Sequence, residues 1–169
     1  MNALSIANYI VSNWSDKVEI TNLKLNKLVY YSYVESLRKL GRPLFDDAIE
    51  AWQYGPVEPT VYQAFSPHGR NRIQATNEPA ELDATSKKIV HSVMEKLGNL
   101  PAFDLVALSH KPGGAWANVY SPEKDNVITP ETILASVDGL DDGQLVTIGQ
   151  AVQSTIASMP NALRLLENS

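Results

Sequence analysis

The segment TNLKLNKLVYYSYVESLRKLGRP, residues 21–43, most constrains what this chain can become. Its apolar residues recur at helical spacing. Thr21 can cap the start by accepting a backbone N–H, and Gly41 followed by Pro43 stops the helix. At about 100° per residue, Leu25, Leu28, Val29, Ser32, Ser36 and Leu40 form one stripe. Leu23, Tyr30, Tyr33, Val34 and Leu37 widen that stripe around the barrel, leaving Lys24, Lys27, Tyr31, Glu35 and Arg38 as a narrow polar face. A helix this apolar has to be central, packed on most of its sides. The small Ser32 and Ser36 predict close approach by a neighbouring helix.

The rest of the chain must then wrap that helix. Residues 3–14 read as an amphipathic helix, with Ile6, Ala7, Ile10 and Trp14 at helical spacing. Ile49, Ala51 and Gln53 alternate with Glu50, Trp52 and Tyr54, which predicts a short strand ending at Gly55-Pro56. A second short strand is expected at residues 72–76, the two together making a small β-arm. Helical segments are expected from Pro59, over 83–97 and over 101–109, with KPGGAW as a loop. Thr129-Pro130-Glu131 starts another helix, and a last one covers 143–159, followed by a short tail at 162–167. These elements predict a mainly α fold: a single compact helical domain over 1–169 with a small two-stranded β-arm.

Composition narrows the function classes. The absence of cysteine removes disulfides, thiolate nucleophiles and the usual structural zinc sites, and fits a reducing, cytoplasmic setting. No apolar run approaches the roughly 20 residues of a membrane span, and the N-terminus lacks the features of a signal peptide. The net charge of −5 resides entirely in the segment from Glu123 onward, so residues 1–122 are neutral. Neither part is a phosphate-neutralising surface, so no nucleic-acid partner is expected. No cofactor, metal or membrane partner is expected either.

Catalytic signatures are scarce: there is no glycine-rich phosphate loop, paired-histidine metal helix or Gly-x-Ser-x-Gly elbow. His110 stands six residues before Trp116, at a helix C-terminus whose dipole favours a partly protonated imidazole. It can be a polar site walled by an indole. The alternative, preferred here, is a helix cap bonded to a loop carbonyl while Trp116 fills the core. Asp46, Asp47 and Glu50 are read as solvated turn acids rather than an acid/base pair. Lys24, Lys27, Tyr31 and Arg38 form a basic-aromatic stripe that either meets an acidic or phosphate-bearing partner or is a solvated face; with Tyr54 they are the candidate partner-binding residues.

The run from Leu23 to Phe65 resembles the signature of the Panacea domain, the family of SocA-like antitoxins and phage-associated proteins. A Leu-x-Leu-x-Lys-Leu-x-Tyr-Tyr start is matched at 23–31, and an Ala-Trp-x-x-Gly-Pro-Val core by Ala51, Trp52, Gly55, Pro56 and Val57. Tyr62, and then His110 with Trp116, follow the same pattern, so the similarity spans about residues 3–120 and leaves an acidic helical segment at 123–169. The shared region starts almost at Met1, so no N-terminal DNA-binding extension is expected. The resemblance implies an antitoxin of a toxin–antitoxin system, bacterial or phage, that neutralises a cognate toxin protein by direct binding and is not an enzyme. An alarmone-synthetase-like, tRNA-modifying toxin is one partner class it implies. The alternatives are an adaptor that delivers the toxin to a Clp protease and an enzyme using His110. In this reading Trp52, Gly55, Pro56, Val57, Tyr62, His110 and Trp116 hold the fold: Gly55 and Pro56 pin a bend, and Trp52 anchors it by burying a large apolar area.

Overall fold

The computed structural model describes residues 1–141, so the helix expected at 143–159 and the tail at 162–167 lie outside the described residues. The order of elements is α1 (Ala3–Trp14), α2 (Asn22–Leu40), β1 (Ile49–Trp52), β2 (Gly55–Val57), α3 (Pro59–Phe65), α4 (Ala84–Leu97), α5 (Ala102–Ser109), α6 (Ala115–Val119), β3 (Asn126–Ile128) and α7 (Pro130–Leu134). A 3-10 turn, Ser66–His68, follows α3. The protein is mainly α. No helix among the described residues is long and apolar enough to cross a membrane.

Helix ends follow from local chemistry. Asn2, Thr21, Asp83 and Thr129 each accept a backbone N–H of the first turn they precede, in α1, α2, α4 and α7. Gly41 closes α2 in the left-handed region at φ 68°, with its N–H on the Leu37 carbonyl. Asp47 departs from its expected role as a solvated turn acid. Its Oδ2 accepts the Ala3 N–H at 2.6 Å and so supplies an orphan donor of α1 from a distant loop.

The α2 helix is the axis of the molecule. From Asn22 to Leu37 only Leu23 escapes full burial, and α1, α3, α4, α5, α7 and β2 all pack on it. Ser32 and Ser36 are buried, their hydroxyls bonded to the Leu28 and Arg42 carbonyls. Leu40 is 39% exposed, so the buried stripe ends one turn earlier than its spacing predicts.

The β-arm differs from the expected pair of strands. Three antiparallel strands occur, in the order β2-β1-β3. Glu50 pairs with Val57 and Trp52 with Gly55, so Gln53 and Tyr54 form the two-residue turn, while Ile49 pairs with Ile128 on the other side. Residues 72–76 form no strand. They lie instead against the α1–α2 connection, where the Ile73 N–H bonds the Ile20 carbonyl at 2.7 Å and Ser15 Oγ bonds the Gln74 carbonyl at 2.8 Å. Strands three residues long carry too little alternation to be read from sequence. The KPGGAW loop likewise runs into the single-turn helix α6, after Gly113 at φ 80°.

Arg38 secures the last element. Its guanidinium donates to four carbonyls in and after α7: Ile133 at 2.9 Å, Ser136 at 2.8 Å, Asp138 at 3.0 Å and Leu134 at 3.3 Å. A planar fork of five donors suits such a cluster, and positive charge is favoured at a helix C-terminus. Arg38→Ala should therefore lower stability by about 1–3 kcal/mol, read as a shift of the urea midpoint at constant m-value, and Arg38→Lys should recover less than half of it. An unmoved midpoint in Arg38→Ala would show that these bonds do not hold α7.

Candidate interaction site and the motif behind it

The polar face of α2 is not the exposed stripe that its spacing predicts. Lys24, Lys27, Tyr31 and Glu35 are 4%, 0%, 1% and 2% exposed. Lys24 Nζ donates to the Gly98 carbonyl at 2.6 Å, closing the end of α4, and Glu35 accepts from Ser92 of the same helix at 3.2 Å. Lys27 Nζ donates to the Pro56 carbonyl of β2 at 3.1 Å. With Arg38, which is exposed but bonded to the end of α7, these side chains tie the central helix to its neighbours; Lys24, Lys27 and Tyr31 are buried and not available as a partner-binding rim. Burial lowers the pKa of Lys24 and pushes that of Lys27 down to about 7. Tyr31 Oη has no hydrogen-bond partner among the described residues, and burial followed by the charge of Asp138 raises its pKa.

Of the residues expected to hold the fold, Gly55, Pro56 and His110 converge on Lys27, whereas Tyr62 is 39% exposed and lies outside this cluster. Gly55 sits at φ 110°, and a Cβ there would lie 2.7 Å from both Lys27 Cε and Ser109 Oγ. Only glycine permits this approach. His110 ends α5, and its ring stacks on Trp116 at 3.7 Å and 7°, with Tyr120 stacked on the far face of the indole at 4.5 Å. Trp116 Nε1 donates to the Trp52 carbonyl at 2.6 Å. His110 does cap its helix through its backbone N–H. Its imidazole does not bond a loop carbonyl, because Nε2 is buried without a partner. Nor is it partly protonated: burial and then the nearby Lys27 push its pKa down to about 3, overruling the helix dipole. Trp52 is half-buried, so it fixes the bend through its carbonyl more than through a deeply buried ring. Its indole donates to Glu50 at 2.6 Å, which takes Glu50 out of the class of free turn acids.

Sequence reasoning missed a second buried group. Asp138, in the acidic segment, is 1% exposed and accepts from Tyr30 Oη at 2.5 Å and from the Ala115 N–H at 3.2 Å. Burial raises its pKa. A lone acid among seven, with no neighbouring motif, gave no signal of this. No group of three or more His, Asp or Glu side chains among the described residues could hold a metal ion.

On the outside of the same motif lies a groove of about 500 Å3, between the β1–β2 turn, the start of α2 and α3. Leu23 and Val57 line it with Trp52, Tyr54 and Tyr62, and Arg70 brings its charge. Trp52 and Tyr62 meet edge to face at 5.0 Å. Of the candidate binding residues, only Tyr54 opens onto this groove.

Two variants test the interior. Gly55→Ala forces a side chain into strained backbone and into Lys27, and should cost about 2–5 kcal/mol, read by urea denaturation; a cost under about 1 kcal/mol would contradict the packing. Lys27 binds a proton more readily unfolded than folded between pH 7 and 10.5, so its burial makes stability rise with pH across that window. The wild-type stability, measured relative to Lys27→Met, should therefore climb from pH 7 to 9.5 by up to about 1.4 kcal/mol per unit. A flat difference would mean that Lys27 is solvated. His110 has the same sign at lower pH, its contribution falling as pH drops from 6.5 toward 3.

The chain was compared with known proteins. Residues 25–117 match the family described as antitoxin SocA-like, Panacea domain. The chain is 33% identical over 131 residues to antitoxin SocA of Caulobacter vibrioides (strain NA1000 / CB15N), the match covering 69% of either protein. No solved structure matches. The stretch from α2 through the Gly55-Pro56 bend to Trp116 lies within the matched residues, and the chain belongs to the SocA-like, Panacea-domain antitoxin family.

Proposed function

We propose that this protein is an antitoxin that neutralises a cognate toxin by binding it directly. The observation that carries the reading is where the family signature goes. Lys27, Gly55, Pro56, His110 and Trp116 are spent on each other inside the molecule. A catalytic histidine needs a titratable partner and access to substrate. His110 has a stacked ring, a buried Nε2 and a cationic neighbour, so the enzyme reading loses its one candidate. What remains for function is a surface held by a rigid scaffold, which is what a stoichiometric inhibitor requires.

Two routes share this first step. The bound protein either covers the toxin's active site or presents the toxin to a Clp protease; occlusion is the simpler of the two, since binding alone suffices. A toxin that uses a nucleotide or modifies tRNA could be blocked in this way.

The test is co-expression with the product of the adjacent reading frame in a host with and without its Clp proteases. The expected result is rescue of growth in both hosts, only at or above equimolar antitoxin, with the two proteins co-purifying. Rescue at far below equimolar levels in both hosts would point to catalysis, and rescue confined to the protease-containing host to delivery.

A further inference from the structure

The groove outside the motif has two chemically different linings. Its inner wall is satisfied. Asn26 accepts the Glu58 N–H and donates to Asn22, and Asn22 donates to the Tyr62 carbonyl. Its rim is open: among the described residues the side chains of Gln53, Tyr54 and Arg70 have no hydrogen-bond or ion-pair partner, and Tyr62 is 39% exposed. The ion pair of Lys87 with Glu81 joins α4 to the loop before it, away from the groove. Tyrosine, tryptophan and arginine are the residues that dominate binding hot spots, and here they surround an apolar floor.

Charge selects the occupant. Among the described residues Arg70 is the only formal charge on the lining, and none of them brings an acid to it. Lys24 and Lys27, buried nearby on α2, are already bonded to the Gly98 and Pro56 carbonyls. A single guanidinium matches one carboxylate bidentately in charge and geometry, and leaves a phosphomonoester, with a charge of about −1.5 to −2, only partly neutralised. The aromatic pair is edge-on, at 65°, so it offers no parallel slot for a flat base, whereas an aromatic or branched side chain packs well against such edges.

We propose that this groove is the docking site for the toxin, taking a short segment that carries an aromatic or large aliphatic side chain beside an Asp or Glu. The apolar side chain enters against Leu23 and Val57 between Trp52 and Tyr62. The acid pairs with Arg70, and Tyr54 and Gln53 bond the segment's backbone. The assignment rests on the antitoxin reading for the identity of the partner, but its chemistry can be tested apart from it.

The probe is a random dodecapeptide display library panned on the full chain. Enriched peptides should place an apolar residue next to an acid. The tightest synthetic peptide should lose at least tenfold in affinity with Arg70→Glu and with Tyr62→Ala, both at unchanged melting temperature. Replacing the peptide's acid by Lys should restore binding to Arg70→Glu, which a merely structural role for Arg70 would not produce. No enrichment, enrichment without an acid, wild-type affinity in either variant, or displacement of the peptide by AMP would overturn the proposal. In the growth assay, groove variants that neutralise as well as wild type would overturn docking here while the antitoxin reading stands. A wild type that neutralises no neighbouring product would sink that reading instead, and the peptide arm then decides the groove.

Discussion

The structure depends on one buried amine. Lys27 lies at the middle of a helix packed on all sides, fully desolvated, with the Pro56 carbonyl as its hydrogen-bond partner. Burying an ammonium costs several kcal/mol unless it is neutralised or well bonded, and Lys27 responds by titrating near neutrality. The bond ties the axis of the molecule to the bend. Lys27 Cε occupies the space next to Gly55 that a side chain would need, so the glycine, the proline and the lysine are one arrangement. Ser109 closes it from α5, and His110, Trp116 and the Trp52 carbonyl continue it to the sheet.

This arrangement separates scaffold from surface. The charged side chains on the polar face of α2 reach three elements: Lys24 and Glu35 bond α4 and its end, Lys27 bonds β2, and Arg38 bonds α7. Such bonds fix the relative positions of helices more sharply than apolar packing alone, because an unmet buried charge is far more costly than a small void. The β1–β2 turn projects from this frame with Gln53 and Tyr54 at its tip. Changes at the rim leave the buried bonds untouched. One frame can therefore carry different rims.

The helical part of this fold was legible from the sequence because its signals are local. Thr21 and Gly41 bracket α2, Asp83 opens α4, and Thr129 with Pro130 opens α7. What was not legible required knowledge of partners far along the chain. A helical wheel places Lys24, Lys27, Tyr31 and Arg38 on a polar face, and only the carbonyls of Gly98, Pro56 and the end of α7 reveal that this face is internal. The third strand, Asn126–Ile128, is hidden for the same reason: its partners, Ile49 and Ala51, lie far back along the chain. The size of Trp52 predicts a deep anchor, but its place at the last residue of β1, next to the two-residue turn, leaves its ring half-open beside Tyr62. The groove itself had one sequence signal, Tyr54 at the turn, while Arg70 belongs to a loop that no local pattern joins to it.

The most direct test is to follow the side-chain Cε and Nζ resonances of the lysines by NMR from pH 5 to 11 in the folded protein. One lysine, assigned by its loss in Lys27→Met, should titrate near pH 7. If every lysine titrates close to the model-peptide value of about 10.4, Lys27 is in contact with water, and neither the central position of α2 nor the tie between that helix and the Gly55-Pro56 bend is as described.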